Sequence, residues 1–104
     1  MSSQSVYDDL AAAQLELPDV TLGRSLGNDV LMVKGKIFAF RKDERLVVKL
    51  PEERVSALIS GGAGVPFRTG QRTMREWVAL DRPSRGAAAA WRAYADEARA
   101  FVTR

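Results

Sequence analysis

The sequence predicts an α+β domain, an antiparallel sheet of about five strands built on two successive hairpins and packed with about three helices. Three observations carry this. Residues 29–59, DVLMVKGKIFAFRKDERLVVKLPEERVSALI, read as two hairpins running directly into a capped helix. Apolar residues recur at helical spacing near both chain ends, and the runs between them are β-branched and aromatic.

The first helix is expected from about Ser5 to Leu17. Ser5 is placed to cap it with Asp8 three residues on; Val6, Leu10, Ala13 and Leu17 would form its apolar stripe, and Pro18 ends it. Val20 to Gly27, VTLGRSLG, reads as an irregular strand with Gly23 a candidate bulge. Lys34-Gly35 then forms a two-residue turn, because such turns need positive φ. That register pairs Leu31 with Phe38 and Met32 with Ile37. It sets Leu31, Val33, Phe38 and Phe40 on one face, and Val30, Met32, Ile37 and Ala39 on the other. Both faces are apolar, so a further helix or a second subunit is expected over the one the helices leave open.

The next turn, around Lys42-Asp43-Glu44, has no glycine. An odd-length loop is preferred, since it puts Leu46, Val48 and Leu50 with Phe38 and leaves Lys49 beside Ile37 on the opposite face. Pro51 in the first helical position, Glu52 and Glu53 in the first turn, and Val55, Leu58 and Ile59 define the second helix, which Gly61 and Gly62 stop. GGAGVPFRTGQRTM reads as a loop. A short strand follows from Glu76 to Leu80, with Val78 and Leu80 facing opposite to Trp77. A last helix begins near Ser84 and aligns Trp91, Tyr94, Ala98, Phe101 and Val102.

Composition narrows the chemistry. At 104 residues, 46% hydrophobic and 28% charged, the chain reads as a single ordinary globular domain, residues 1–104. No apolar run approaches membrane-spanning length and residues 1–10 lack a signal-peptide layout, which gives a cytoplasmic expectation with no membrane partner. The absence of cysteine and histidine removes disulfides, thiolate nucleophiles, zinc-thiolate sites and the commonest general base. Serines and threonines therefore lack an activating histidine, and the acidic residues come as sequence neighbours whose side chains diverge on a helix or strand. No catalytic residue, metal site or cofactor is expected. Gly61-Gly62-Ala63-Gly64 lacks the lysine and hydroxyl of a phosphate loop and follows a helix instead of opening one, so it reads as a helix stop.

Two binding signals remain. Arg68, Arg72, Arg75, Arg82 and Arg85 lie close together, opposed only by Glu76 and Asp81, which makes them a candidate nucleic-acid footprint; an arginine-rich solvated surface explains them as well. Phe67, Met74 and Trp77 border the same arginine-bearing loop as a candidate small-ligand pocket, and core packing is the cheaper account of the aromatics.

The runs GRSLGNDVLMVKGKIFAF, LVVKLPEERVSALI, GVPF and QRTMREWVAL, with a final helix ending EARAFV, resemble the N-terminal domain of the TfoX/Sxy competence regulators, which is close to the MmcQ/YjbR-like fold. The resemblance covers nearly the whole chain and is most specific at VKGK before Phe38 and at Met74-Arg75-Glu76-Trp77-Val78. It implies a small regulatory, non-catalytic module of transcription regulation, acting through a protein partner or a second copy of itself. Arg24-Ser25-Leu26-Gly27 departs from the family's arginine and methionine-phenylalanine-glycine-glycine run. The family's second, helix-hairpin-helix-like domain has no counterpart in these residues, so the resemblance implies a stand-alone first domain.

Overall fold

The computed structural model describes residues 3–25, 27–81 and 87–104. Helix α1 (Ser3–Leu15) precedes β1 (Val20–Ser25), β2 (Asn28–Val33), β3 (Lys36–Lys42) and β4 (Arg45–Lys49). Helix α2 (Glu52–Ser60), β5 (Gly64–Thr69), β6 (Arg72–Leu80) and α3 (Ala87–Val102) complete the order. Six strands form one antiparallel sheet in the order β1-β2-β3-β4-β6-β5, and the three helices pack on one of its faces. The α+β architecture is as the sequence predicts, with one strand more than expected. That strand is β5, which lies inside the segment read as a loop, where Gly64 and Pro66 mask its alternation.

α1 starts before Ser5, so Ser5 lies inside the helix instead of capping it, and the helix ends at Leu15, ahead of Pro18. Its buried face is Val6, Tyr7, Leu10, Ala11 and Gln14, while Ala13 and Leu17 are exposed. A polar residue on the buried side hid that stripe. Gln14 is buried because its amide is satisfied: Nε2 donates to Asp96 Oδ1 at 2.8 Å, and Oε1 accepts from Arg99, which itself bridges to Asp96. These bonds tie α1 to α3.

β1 pairs with β2 without interruption from Val20↔Val33 to Ser25↔Asn28, so Gly23 is no bulge. A Cβ there would lie 2.5 Å from Met32 Sδ, the end of a flexible side chain that could move aside. The bulge sits in the next hairpin. Met32 pairs with Ile37 as expected, but Leu31 pairs with Ala39 and Val30 with Phe40, not Leu31 with Phe38. One extra residue on β3 turns Phe38 and Ala39 to the helix side and Phe40 to the other. The β3–β4 turn is the even one, Asp43-Glu44 between paired Lys42 and Arg45, with φ of 51° and 68°. Leu46, Val48 and Leu50 nevertheless join Phe38, because the bulge offsets the residue that the shorter turn removes.

α2 begins after Pro51, which is its N-cap residue and not its first helical one. It ends in a Schellman closure, with Gly62 N–H on Ile59 O and Ala63 N–H on Leu58 O. Along β6, Val78 and Leu80 enter the helix-covered core while Trp77 and Ala79 face away, as expected. On α3, Trp91, Ala95, Ala98 and Val102 are buried, flanked by half-buried Tyr94 and Phe101. The predicted start near Ser84 lies outside the described residues.

Candidate functional site

The sheet face away from the helices carries a second cluster: buried Val30, Phe40, Val47 and Ala79, with half-buried Met32, Ile37, Phe67 and Trp77 against them. The sequence predicts a further helix or subunit over Val30, Met32, Ile37 and Ala39. Among the described residues Phe67 and Trp77 of the β5–β6 hairpin pack against this face, and Ala39 belongs to the other one.

Local pairing explains how. β5 and β6 run in register from Gly64↔Leu80 to Pro66↔Val78 and then jump to Phe67↔Met74. Arg75, Glu76 and Trp77 therefore have no partner on β5, while Trp77 pairs with Lys49 of β4 and Glu76 O accepts the Leu50 N–H at 2.9 Å. The strand bends there and brings three rings together. Phe40 meets Phe67 edge-on at 5.7 Å and Trp77 at 5.8 Å, and Phe67 lies 6.4 Å from Trp77. Lys42 Nζ stands 5.6 Å over the Phe67 ring and Lys49 Nζ 5.9 Å over Trp77, contacts worth about 0.5–1 kcal/mol each at exposed sites.

Phe67, Met74 and Trp77, the predicted pocket residues, line one hollow of about 140 Å³ together with Val30, Ile37, Phe40 and Lys42. Pockets that enclose drug-sized ligands run to roughly 300–1,000 Å³. This one has the size of a seat for a single side chain. Phe40, Lys42 and Lys49 belong to the site as well, beyond the residues predicted from sequence. Only the bulge puts Phe40 on this face, and no sequence signal marks that bulge.

Of the predicted arginines, Arg68, Arg72 and Arg75 are exposed on the β5–β6 hairpin. Arg72 and Arg75 border a shallow depression with Lys49 and Trp77, and Arg75 approaches Glu52 at 3.9 Å. Arg68 lies beside a different hollow, with Lys42 and Arg45. Arg82 and Arg85 lie outside the described residues. Basic side chains thus flank the aromatic hollow on several sides, with Asp43 and Glu76 as acidic groups in the adjoining depressions.

Acidic neighbours serve local roles: Asp96 holds Gln14, and Glu97 holds Arg54 through Nε at 2.8 Å, raising the pKa of that guanidinium. Among the described residues no three metal-ligating side chains cluster, and no helix is long and apolar enough to cross a membrane. Compared with known proteins, the chain matches no family model and no curated sequence.

Proposed function

We propose that the protein is a small non-enzymatic regulatory module that binds an acidic segment of a protein partner on the open face of its sheet. The observation that carries this is the side-chain-sized hollow of Phe40, Phe67, Met74 and Trp77 with Lys42 and Lys49 laid over two of its rings. An apolar anchor in a central pocket, ringed by charge that selects and steers, is how compact interfaces concentrate their binding energy. The same face would suit the first domain of a competence-type regulator, the role that the sequence resemblance implies.

Nucleic-acid binding is the second reading, supported by Arg68, Arg72 and Arg75 on one hairpin. Base stacking is worth about 1–3 kcal/mol per base, but here it must first displace the lysines already over Phe67 and Trp77. An inserted side chain leaves those lysines free to pair with flanking carboxylates.

The test uses a Trp91→Phe background, so that Trp77 is the sole tryptophan and is excited selectively at wavelengths beyond tyrosine absorption, and two probe peptides: one leucine flanked by glutamates and one flanked by lysines. The acidic peptide should shift Trp77 emission, bind more weakly as salt rises, and fail on a Lys42→Glu, Lys49→Glu double variant. Equal binding of both peptides, or of neither, overturns the proposal. A single-stranded oligonucleotide that binds where the acidic peptide does not, with affinity lost on Arg72→Ala, Arg75→Ala, decides for the second reading.

A further inference from the structure

We infer that the outer edge of β1 is a self-association site at which a second copy of this chain adds strand to strand about a two-fold axis. The two edges of the sheet are built differently. β5 is a defended edge: Pro66 at its centre has no N–H to offer, the register breaks beside it, and exposed Arg68 follows. Of these devices β1 carries only a charged residue, exposed Arg24. It runs six residues in unbroken register with β2, contains no proline, and as the sheet's edge strand turns the N–H and C=O of every second residue outward, where the Val20 N–H makes a long 3.4 Å bond to Leu17 O.

Exposed apolar area gathers at the same edge. Leu22 is 56% exposed in the middle of β1, on the face it shares with buried Val20, and Leu15 at the end of α1 and Leu17 just beyond it are also exposed. Leu15 and Leu22 line one groove between α1 and β1, of about 430 Å³. A two-fold axis normal to the sheet keeps both helix layers on one side, so each α1 flanks the joint. In the register that sets Leu22 opposite Leu22 of the second copy, Thr21 faces Gly23 and Val20 faces Arg24, and the most exposed leucine is buried on its own image.

Charge selects a second copy as the occupant. The groove carries Asp8 and Asp29 against Arg24 and Arg41, balanced in sign, with Arg24 3.6 Å from Asp29. Two identical surfaces of this kind meet without net repulsion. The aromatic face, bordered by Lys36, Lys42, Lys49, Arg72 and Arg75 against Asp43 and Glu76, carries excess positive charge, repels a copy of itself and suits an acidic partner instead. The two surfaces meet only at the end of the β1–β2 hairpin, where Ser25 and Asn28 border the aromatic hollow, and the β1 edge is argued from observations other than those behind the aromatic-face reading.

Sedimentation of the full chain over a concentration series tests this. The expected result is a species of twice the 11.4 kDa chain mass at the high end, with β1 amides gaining hydrogen-exchange protection as it forms. Leu22→Lys should abolish it while leaving the dilute protein's melting temperature unchanged, because the side chain is already largely exposed. Val65→Lys, on the other edge, should leave the dimer intact. A monomer at every concentration, a dimer that survives Leu22→Lys, or equal loss with Val65→Lys overturns the inference. Because Leu22→Lys should still bind the acidic probe peptide, failure here is distinguishable from failure of the aromatic-face reading.

Discussion

Phe38 and Ala39 are neighbours in the chain and yet lie on the same, helix-covered face of the sheet, with Ala39 opposite Leu31. This one bulge releases Phe40 to the open face, where it becomes the ring that both Phe67 and Trp77 pack against. Phe40 is 8% exposed, so truncating it removes the centre of the second cluster. Phe40→Ala should cost about 3 kcal/mol, the low end for a buried phenylalanine because part of the cluster faces solvent. In a Trp91→Phe background the emission of Trp77 should move to the red, and denaturant melts will give the stability loss. An unshifted emission would mean that Trp77 does not depend on Phe40 for its seat.

The β2–β3 turn offers a stabilising change. Lys34 and Gly35 both have positive φ, 51° and 79°, the primed geometry that favours asparagine before glycine. Lys34 is exposed, and its backbone N–H bond to Asp19 O does not involve the side chain. Lys34→Asn should therefore raise stability by about 0.5 kcal/mol through relief of the left-handed strain. Chemical denaturation is the better reading of so small a gain, since the midpoint should rise without a change in slope.

Gly64 opens β5 against β6 at a separation that excludes a side chain. A Cβ there would lie 2.8 Å from Ala79 O and 2.9 Å from Val78 Cγ2, and the first of these is backbone that cannot swing aside. Gly64→Ala should cost about 1–3 kcal/mol by forcing the two strands apart. The same substitution tests how the site is built, because the β5–β6 hairpin carries Phe67 and Trp77. Acidic-peptide affinity should fall in parallel with stability.

How far the sequence reveals this molecule depends on how local each cause is. The Lys34-Gly35 turn, the α2 stop at Gly61-Gly62 and the opposed faces of Val78 and Trp77 all follow from residues within a few positions, and all are legible. The bulge at Phe38-Ala39 and the even turn at Asp43-Glu44 are not, because each shifts the pattern by one residue and the two shifts offset each other in the placement of Leu46, Val48 and Leu50. Strand β5 is hidden for a different reason. Its glycine and proline are disfavoured in strands generally, and only its position at the sheet edge makes them tolerable. Phe67, Met74 and Trp77 are recognisable in the sequence as an apolar group, but the third ring, Phe40, comes from β3 and reaches their face only through the bulge. The lysines that cap the rings are ordinary surface residues until the register places them.

Tyr7 supplies a pH dependence whose sign can be worked through. The residue is 6% exposed, and its hydroxyl has no hydrogen-bond partner among the described residues. Burial first, then the nearby charges of Asp29 and Asp8, push its pKa up from 10.0 to about 12, against a smaller opposing effect of Arg41. Between those two values the unfolded chain releases a proton that the folded protein retains, so rising pH favours unfolding. The stabilisation is whole below pH 10.0 and is lost as pH climbs to about 12, a change on the order of 2 kcal/mol. Tyr7→Phe removes the titrating group and deletes no hydrogen bond to the described residues. It should leave neutral-pH stability unchanged or slightly higher and flatten the alkaline limb of the stability curve. Denaturant melts of both proteins from neutral pH to pH 12 will decide, and identical alkaline limbs would remove Tyr7 as their cause.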